Sequence, residues 1–193
     1  MSDESISLIA GLGNPGSQYA GTRHNAGFWF LGELQKKYSF SLSSEKKYKA
    51  ETGHFNFQGR TIRVVAPSTF MNLSGQSVAP LANFYRIPAQ QILVVHDELD
   101  MPPGTIKLKK GGGHGGHNGL RDISSRLGTL DFQRLRIGIG HPGNAKMVSG
   151  YVLKRPSEDD RYSILQAIDR AVDVMDQVLS GDTASAMLKL HTT

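Results

Sequence analysis

Ile92-Leu93-Val94-Val95 is an unbroken run of apolar residues, three of them β-branched, that ends directly in His96-Asp97-Glu98. A strand without polar alternation is apolar on both faces, so it belongs inside a parallel sheet covered by helices on either side. Ser5 to Ala10, with Ile6, Leu8 and Ile9, reads as a second buried strand and runs into Gly11-Leu12-Gly13-Asn14-Pro15-Gly16. Further strands are expected over 50–57, 60–66, 105–109 and 135–139, the third alternating Ile106 and Leu108 with Lys107 and Lys109. Helical periods fall between them, over 25–38, 73–85 and 120–127, although Pro80 predicts a kink or break in the second. Pro156, Ser157 and the acidic residues Glu158, Asp159 and Asp160 open a long helix expected to reach Leu179, with Ile164, Ile168, Val172, Met175 and Leu179 on one stripe. Strands interleaved with helices predict an α/β protein, one domain over 1–193. Its sheet should be twisted, mixed and largely parallel, with helices on both faces.

Composition removes several classes of function. The chain has 193 residues and no cysteine, so disulfides, thiolate nucleophiles and cysteine-ligated metals are excluded, and a reducing, cytoplasmic setting is expected. The opening Met1-Ser2-Asp3-Glu4-Ser5 is acidic and polar where a signal peptide would be basic. Apolar runs are far shorter than the roughly 20 residues of a membrane span, so no membrane association is expected.

The net charge of +5 is unevenly placed. Residues 107–136 hold Lys107, Lys109, Lys110, Arg121, Arg126, Arg134 and Arg136 against Asp122 and Asp131, whereas residues 157–193 are net acidic. A basic patch of this kind suits a phosphate backbone; its alternative is a solvated surface that happens to be basic.

Five segments carry polar chemistry. Gly11 to Gly16 matches the dinucleotide pattern G-x-G-x-x-G, but the following helix is delayed and Glu33, the acid near the required spacing, falls within the helical stripe. A strand-end turn projecting Asn14 fits better. His24, in Thr22-Arg23-His24-Asn25, could be a surface or packing residue, or a base. Asp97 to Asp100 could form a polar turn, yet a carboxylate at the C-terminal end of a buried strand is well placed to orient a histidine that activates water. Phe70, Met71 and Asn72 lie between a strand and a helix, where Asn72 could serve as a cap. Gly111 to Gly119 lets backbone approach a ligand closely, offers Asn118 as cap or contact, and holds His114 and His117, whose spacing matches no common metal motif.

Together these motifs resemble the bacterial-type peptidyl-tRNA hydrolases. The resemblance rests on the turn at 11–16, Tyr19, the segments at 22–25, 69–75, 96–100 and 116–120, and Arg136-Ile-Gly-Ile-Gly-His-Pro-Gly143. It implies a monomeric enzyme, without metal or other cofactor and without an obligate protein partner, that cleaves the ester joining a peptide to the 3' end of tRNA. By the same resemblance His24 is the general base and Asp97 its orienting carboxylate. Asn14 recognises the peptide near its blocked amino group. Tyr19, Phe70, Asn72 and Asn118 bind the substrate, Met71 lines the cleft, and Lys109 and Arg136 bind tRNA phosphates. The competing readings are a non-catalytic RNA-binding module on the same scaffold and a nucleotide-dependent enzyme using the first glycine turn.

Overall fold

A computed structural model describes residues 4–191. Seven strands form one sheet: β1 (Leu8–Gly11), β2 (Ser43–Glu45), β3 (Ala50–Phe57), β4 (Arg60–Pro67), β5 (Ile92–Glu98), β6 (Ile106–Lys110) and β7 (Gln133–Gly138), in the order β2-β3-β4-β1-β5-β7-β6. The four strands β4, β1, β5 and β7 run parallel in the centre, and β2, β3 and β6 add antiparallel edges. Among the described residues seven α-helices accompany the sheet: α1 (Ala26–Tyr38), α2 (Gly75–Phe84), α3 (Asn118–Leu127), α4 (Val148–Val152), α5 (Glu158–Asp173), α6 (Met175–Ser180) and α7 (Thr183–His191).

Side-chain alternation divides the core between the two faces of the sheet. Ile9, Leu93 and Val95 pack with residues of α1 and α5 to α7, while Leu8, Ala10, Ile92 and Val94 pack with α2 and α3. The apolar runs that open β1 and β5 are therefore buried on both sides, as their lack of polar alternation requires. Gly11, Gly13 and Gly27 let α1 lie directly against the tip of β1: a Cβ on Gly13 would come within 2.5 Å of Phe28, and one on Gly27 within 2.5 Å of the Leu12 carbonyl oxygen. Helix packing explains the glycines of the first turn, and no pyrophosphate cradle is needed to account for them.

Three expectations need correction. Of the kink or break expected at Pro80, the break does not occur, because α2 runs through that residue. Pro80 is exposed, so the Gln76 carbonyl that loses its i+4 donor lies on the solvent side, where helices tolerate curvature. The long C-terminal helix breaks at Val174, and α6 follows it and still buries Met175, Val178 and Leu179. Finally, α3 begins at Asn118 but its cap is His117, whose ring accepts the Gly119 and Leu120 amide hydrogens. Met1-Ser2-Asp3 lie outside the described residues, among which no helix is long and apolar enough to cross a membrane.

Candidate active site

The C-terminal ends of parallel strands expose backbone turns at one edge of the sheet, which is where open α/β folds place ligands. Here β5 delivers Asp97, and a 3-10 turn before α1 delivers His24. His24 Nδ1 lies 2.8 Å from Asp97 Oδ2, and His117 Nε2 lies 2.8 Å from Asp97 Oδ1. One carboxylate, 2% exposed, thus serves two imidazoles whose ring centres are 5.2 Å apart.

Hydrogen-bond partners fix the protons. Asp97 accepts from both rings, so His24 carries its hydrogen on Nδ1 and keeps the Nε2 lone pair free. His117 Nδ1 accepts two backbone N–H groups, at 3.1 and 3.4 Å, so its hydrogen sits on Nε2 and points at Asp97. Burial opposes a charge on His24, but the Asp97 carboxylate outweighs it through both charge and hydrogen bond, and the histidine titrates above its ordinary value. Burial would raise Asp97; the two imidazoles hold it well below the usual carboxylate range. His96, fully enclosed behind them, is pushed down to about 3 by burial and by neighbouring His117, and stays neutral. Its Nδ1 faces the Asp97 carbonyl oxygen at 2.7 Å.

His24, Asp97 and His117 could also be read as metal ligands, since their donor atoms lie within 4.8 Å of one another. Ligation through His117 Nε2 would move that ring's hydrogen to Nδ1, against the two amide hydrogens that cap α3. The cap therefore disfavours the metal reading.

Asn14 is held as tightly as the histidines. Its backbone N–H donates to Asn25 Oδ1 at 2.9 Å, its carbonyl accepts from Asn25 Nδ2 at 3.0 Å, and its Oδ1 accepts from the Met71 N–H at 2.7 Å. With Oδ1 engaged, the Nδ2 hydrogens are what Asn14 can offer a ligand. Tyr19 and Phe70 meet edge to face, 6.2 Å between ring centres, joining the two loops on either side of it.

A cleft of about 340 Å³ gathers Asn14, Tyr19, His24, Phe70, Met71, Asn72, Asp97 and Asn118, all expected at a site from the sequence. Its opposite wall, Val148, Val152 and Leu153 around α4, was not anticipated, because a five-residue helix is too short to show a period. The Arg23 guanidinium tethers that wall to the His24 turn, donating to the Tyr151 carbonyl oxygen at 2.9 Å and stacking 3.8 Å from the centre of the Tyr151 ring.

Lys109 and Arg136 lie outside the cleft. The β6–β7 register places Lys107 opposite Arg136 and Lys109 opposite Arg134, so all four share one face. The basic patch is nevertheless smaller than its sequence count. Arg134 is 1% exposed and donates to the carbonyl oxygens of Gly112, Gly113 and Leu130, while Lys110 pairs with Glu4 and Arg126 with Asp122. Arg136 Nη1 stands 3.8 Å from Glu98, and Lys109 has no ion-pair partner among the described residues.

A mixed sheet with a cleft at the C-terminal edge of its parallel strands, containing a carboxylate-held histidine and free amide donors, defines an enzyme of the α/β class. The model of the family described as peptidyl-tRNA hydrolase matches residues 8–193. The chain is 56% identical over 187 residues to the peptidyl-tRNA hydrolase of Alcanivorax borkumensis, covering 96% of each, and 54% identical over 184 residues to that of Halorhodospira halophila, covering 95% of each. The crystal structure of peptidyl-tRNA hydrolase from Acinetobacter baumannii superposes with a TM-score of 0.95 at 49% identity, over all of this chain and 96% of that one. This chain belongs to the peptidyl-tRNA hydrolase family, and it is a hydrolase.

Proposed function

We propose that the protein frees tRNA from peptidyl-tRNA by hydrolysing the ester between the peptide and the 3'-terminal ribose, acting as a monomer in the cytoplasm. His24 Nε2 takes a proton from water, and the resulting hydroxide attacks the ester carbonyl. The imidazolium, stabilised by Asp97, returns that proton to the ribose oxygen as the tetrahedral intermediate collapses. Asn14 Nδ2 donates to a peptide carbonyl. A neutral donor at this position accepts an amide-blocked residue and disfavours a free ammonium, which brings only more N–H donors. Asn72 and Asn118 take main-chain groups without regard to side chain, while Tyr19, Phe70 and Met71 contact the sugar, base and adjoining residue. Lys109 and Arg136 grip backbone phosphate, which carries no sequence information.

The observation that carries this reading is the 2.8 Å His24–Asp97 contact inside a cleft supplied with three asparagines. The test is His24→Ala, assayed with N-acetyl-aminoacyl-tRNA. Release of the acylated amino acid should be abolished while tRNA binding is retained; normal turnover would overturn the mechanism. A non-catalytic RNA-binding role is disfavoured by the intact dyad.

A further inference from the structure

A second cavity, of about 500 Å³, lies between α1, the β3–β4 hairpin and the loop after β1, and nothing in the reaction so far uses it. Its volume falls within the roughly 300–1,000 Å³ of ordinary ligand pockets. Phe28, Trp29, Leu42 and Pro67 supply its apolar lining, and Asn25, Gln35, Glu51 and Ser68 its polar part. Trp29 is set rigidly, because its indole N–H donates to the Ala20 carbonyl oxygen at 2.8 Å and so ties α1 to the loop after Asn14.

The connection to the cleft is Asn14, which lines both spaces. The cleft, at about 340 Å³, has to take the terminal ribose, its base and the residue in ester linkage. A longer peptide must leave it. Asn14 is fixed through Asn25 and Met71 with its Nδ2 left to donate, so a peptide bonded there by its carbonyl is already at the boundary of the second cavity. An extended chain advances about 3.3 Å per residue, so the residues beyond that carbonyl soon reach past Asn14 into the second cavity.

We infer that this cavity is the exit subsite for the nascent peptide, holding the third and fourth residues counted back from the ester and favouring apolar over acidic side chains. The inference rests on the peptidyl-tRNA hydrolase reading and adds to it a preference for longer, apolar peptides.

Gly32 provides a direct test. It lies in α1 and lines the cavity, and a Cβ there meets no atom within 4 Å. Gly32→Phe starts from a Cβ in open space, adds bulk to the cavity lining and removes a poor helix former, so it should fold. Gly32→Ala controls for the gain in helix propensity. The substrates are N-acetyl-phenylalanyl-tRNA and a tetrapeptidyl-tRNA ending in phenylalanine with leucine at the third and fourth positions from the ester. Gly32→Phe should lower kcat/KM for the tetrapeptidyl substrate about tenfold and leave the short one unchanged, and Gly32→Ala should change neither. An equal loss on both substrates, or no loss on the long one, would overturn the subsite while leaving the hydrolase reading intact. Failure of the wild-type protein to release either peptide would overturn the parent reading and this one with it.

Discussion

At the floor of the cleft, Asp97 is 2% exposed and Asn14 6% exposed, and His24, Asp97, His117 and Asn14 are each held by at least one hydrogen bond to one another or to backbone. On the neighbouring β6–β7 ridge, Lys109 is exposed and holds no ion pair among the described residues. The contrast follows from what each region has to do. Moving a proton to and from a reacting ester requires donors and acceptors fixed before substrate arrives, in surroundings that exclude water. Gripping a phosphate backbone requires positive charge within reach, and a mobile ammonium supplies it regardless of nucleotide sequence.

The largest effect should come from the carboxylate shared by the two histidines. Asp97→Asn replaces an acceptor of two N–H groups by an amide that can accept only one of them, so at least one ring loses its tautomer. We expect kcat to fall about 10²–10⁴-fold in single-turnover peptide release, with tRNA affinity retained. Next is Arg134, which belongs to the ridge by sequence and to the floor by burial. Arg134→Met removes donors from three carbonyl oxygens of the glycine-rich loop and its flank, and should cost about 3 kcal/mol in chemical denaturation. If Arg134→Met instead lowered only tRNA affinity, the division between floor and ridge would be wrong.

His117→Asn should follow. The shorter side chain can still cap α3 but cannot also reach Asp97, for a loss of about 1–2 kcal/mol. Released from one partner, Asp97 would favour the His24 imidazolium more strongly, moving the acid limb of the kcat/KM profile to higher pH. A wild-type profile in this variant would mean that His117 only caps the helix.

The pH dependence has a fixed sign. His24 titrates above 6.5 in the folded protein, so its contribution to stability is complete below pH 6.5 and is lost as pH rises through the folded value. The free base appears over the same rise. The difference in Tm between wild type and His24→Ala should therefore shrink from pH 6.5 upward while wild-type kcat/KM climbs. His96 acts in the opposite sense: held neutral down to about 3, it costs stability as pH falls below 6.5. The smallest effect is expected at the ridge. Lys109→Glu should leave Tm unchanged, raise KM about tenfold for full-length tRNA substrates, and leave a minimal peptidyl-nucleotide unaffected.

Much of this architecture was legible from local pattern. The apolar runs at β1 and β5 specified a doubly covered parallel sheet, and β3 and β4 ended within one residue of their expected limits because alternation and a tight turn bound them. Asn14, His24 and Asp97 could be placed at strand ends or helix starts because glycine, proline and apolar periodicity mark those boundaries. Three elements escaped: β2 with three residues and α4 with five carry no measurable period, so the α4 wall of the cleft was invisible, and the nine-residue α7 follows the last helix expected from the sequence. Helix α5 was expected to continue because its apolar stripe does continue through Met175 and Leu179, so the interruption at Val174 leaves no mark on the pattern.

The sequence by itself determined the class of fold, the residue types available for chemistry and the excess of positive charge near β6 and β7, since each depends on composition or on neighbours along the chain. Tertiary structure decided which of those charges are free. Arg134 and Lys109 look alike in sequence, yet one is spent on backbone carbonyls and the other faces solvent. It also joined His24 to Asp97 across 73 residues and gave Asp97 its second histidine from the cap of α3. Proton positions and charge availability depend on which groups meet in space, and those meetings arise only when distant segments pack against one sheet.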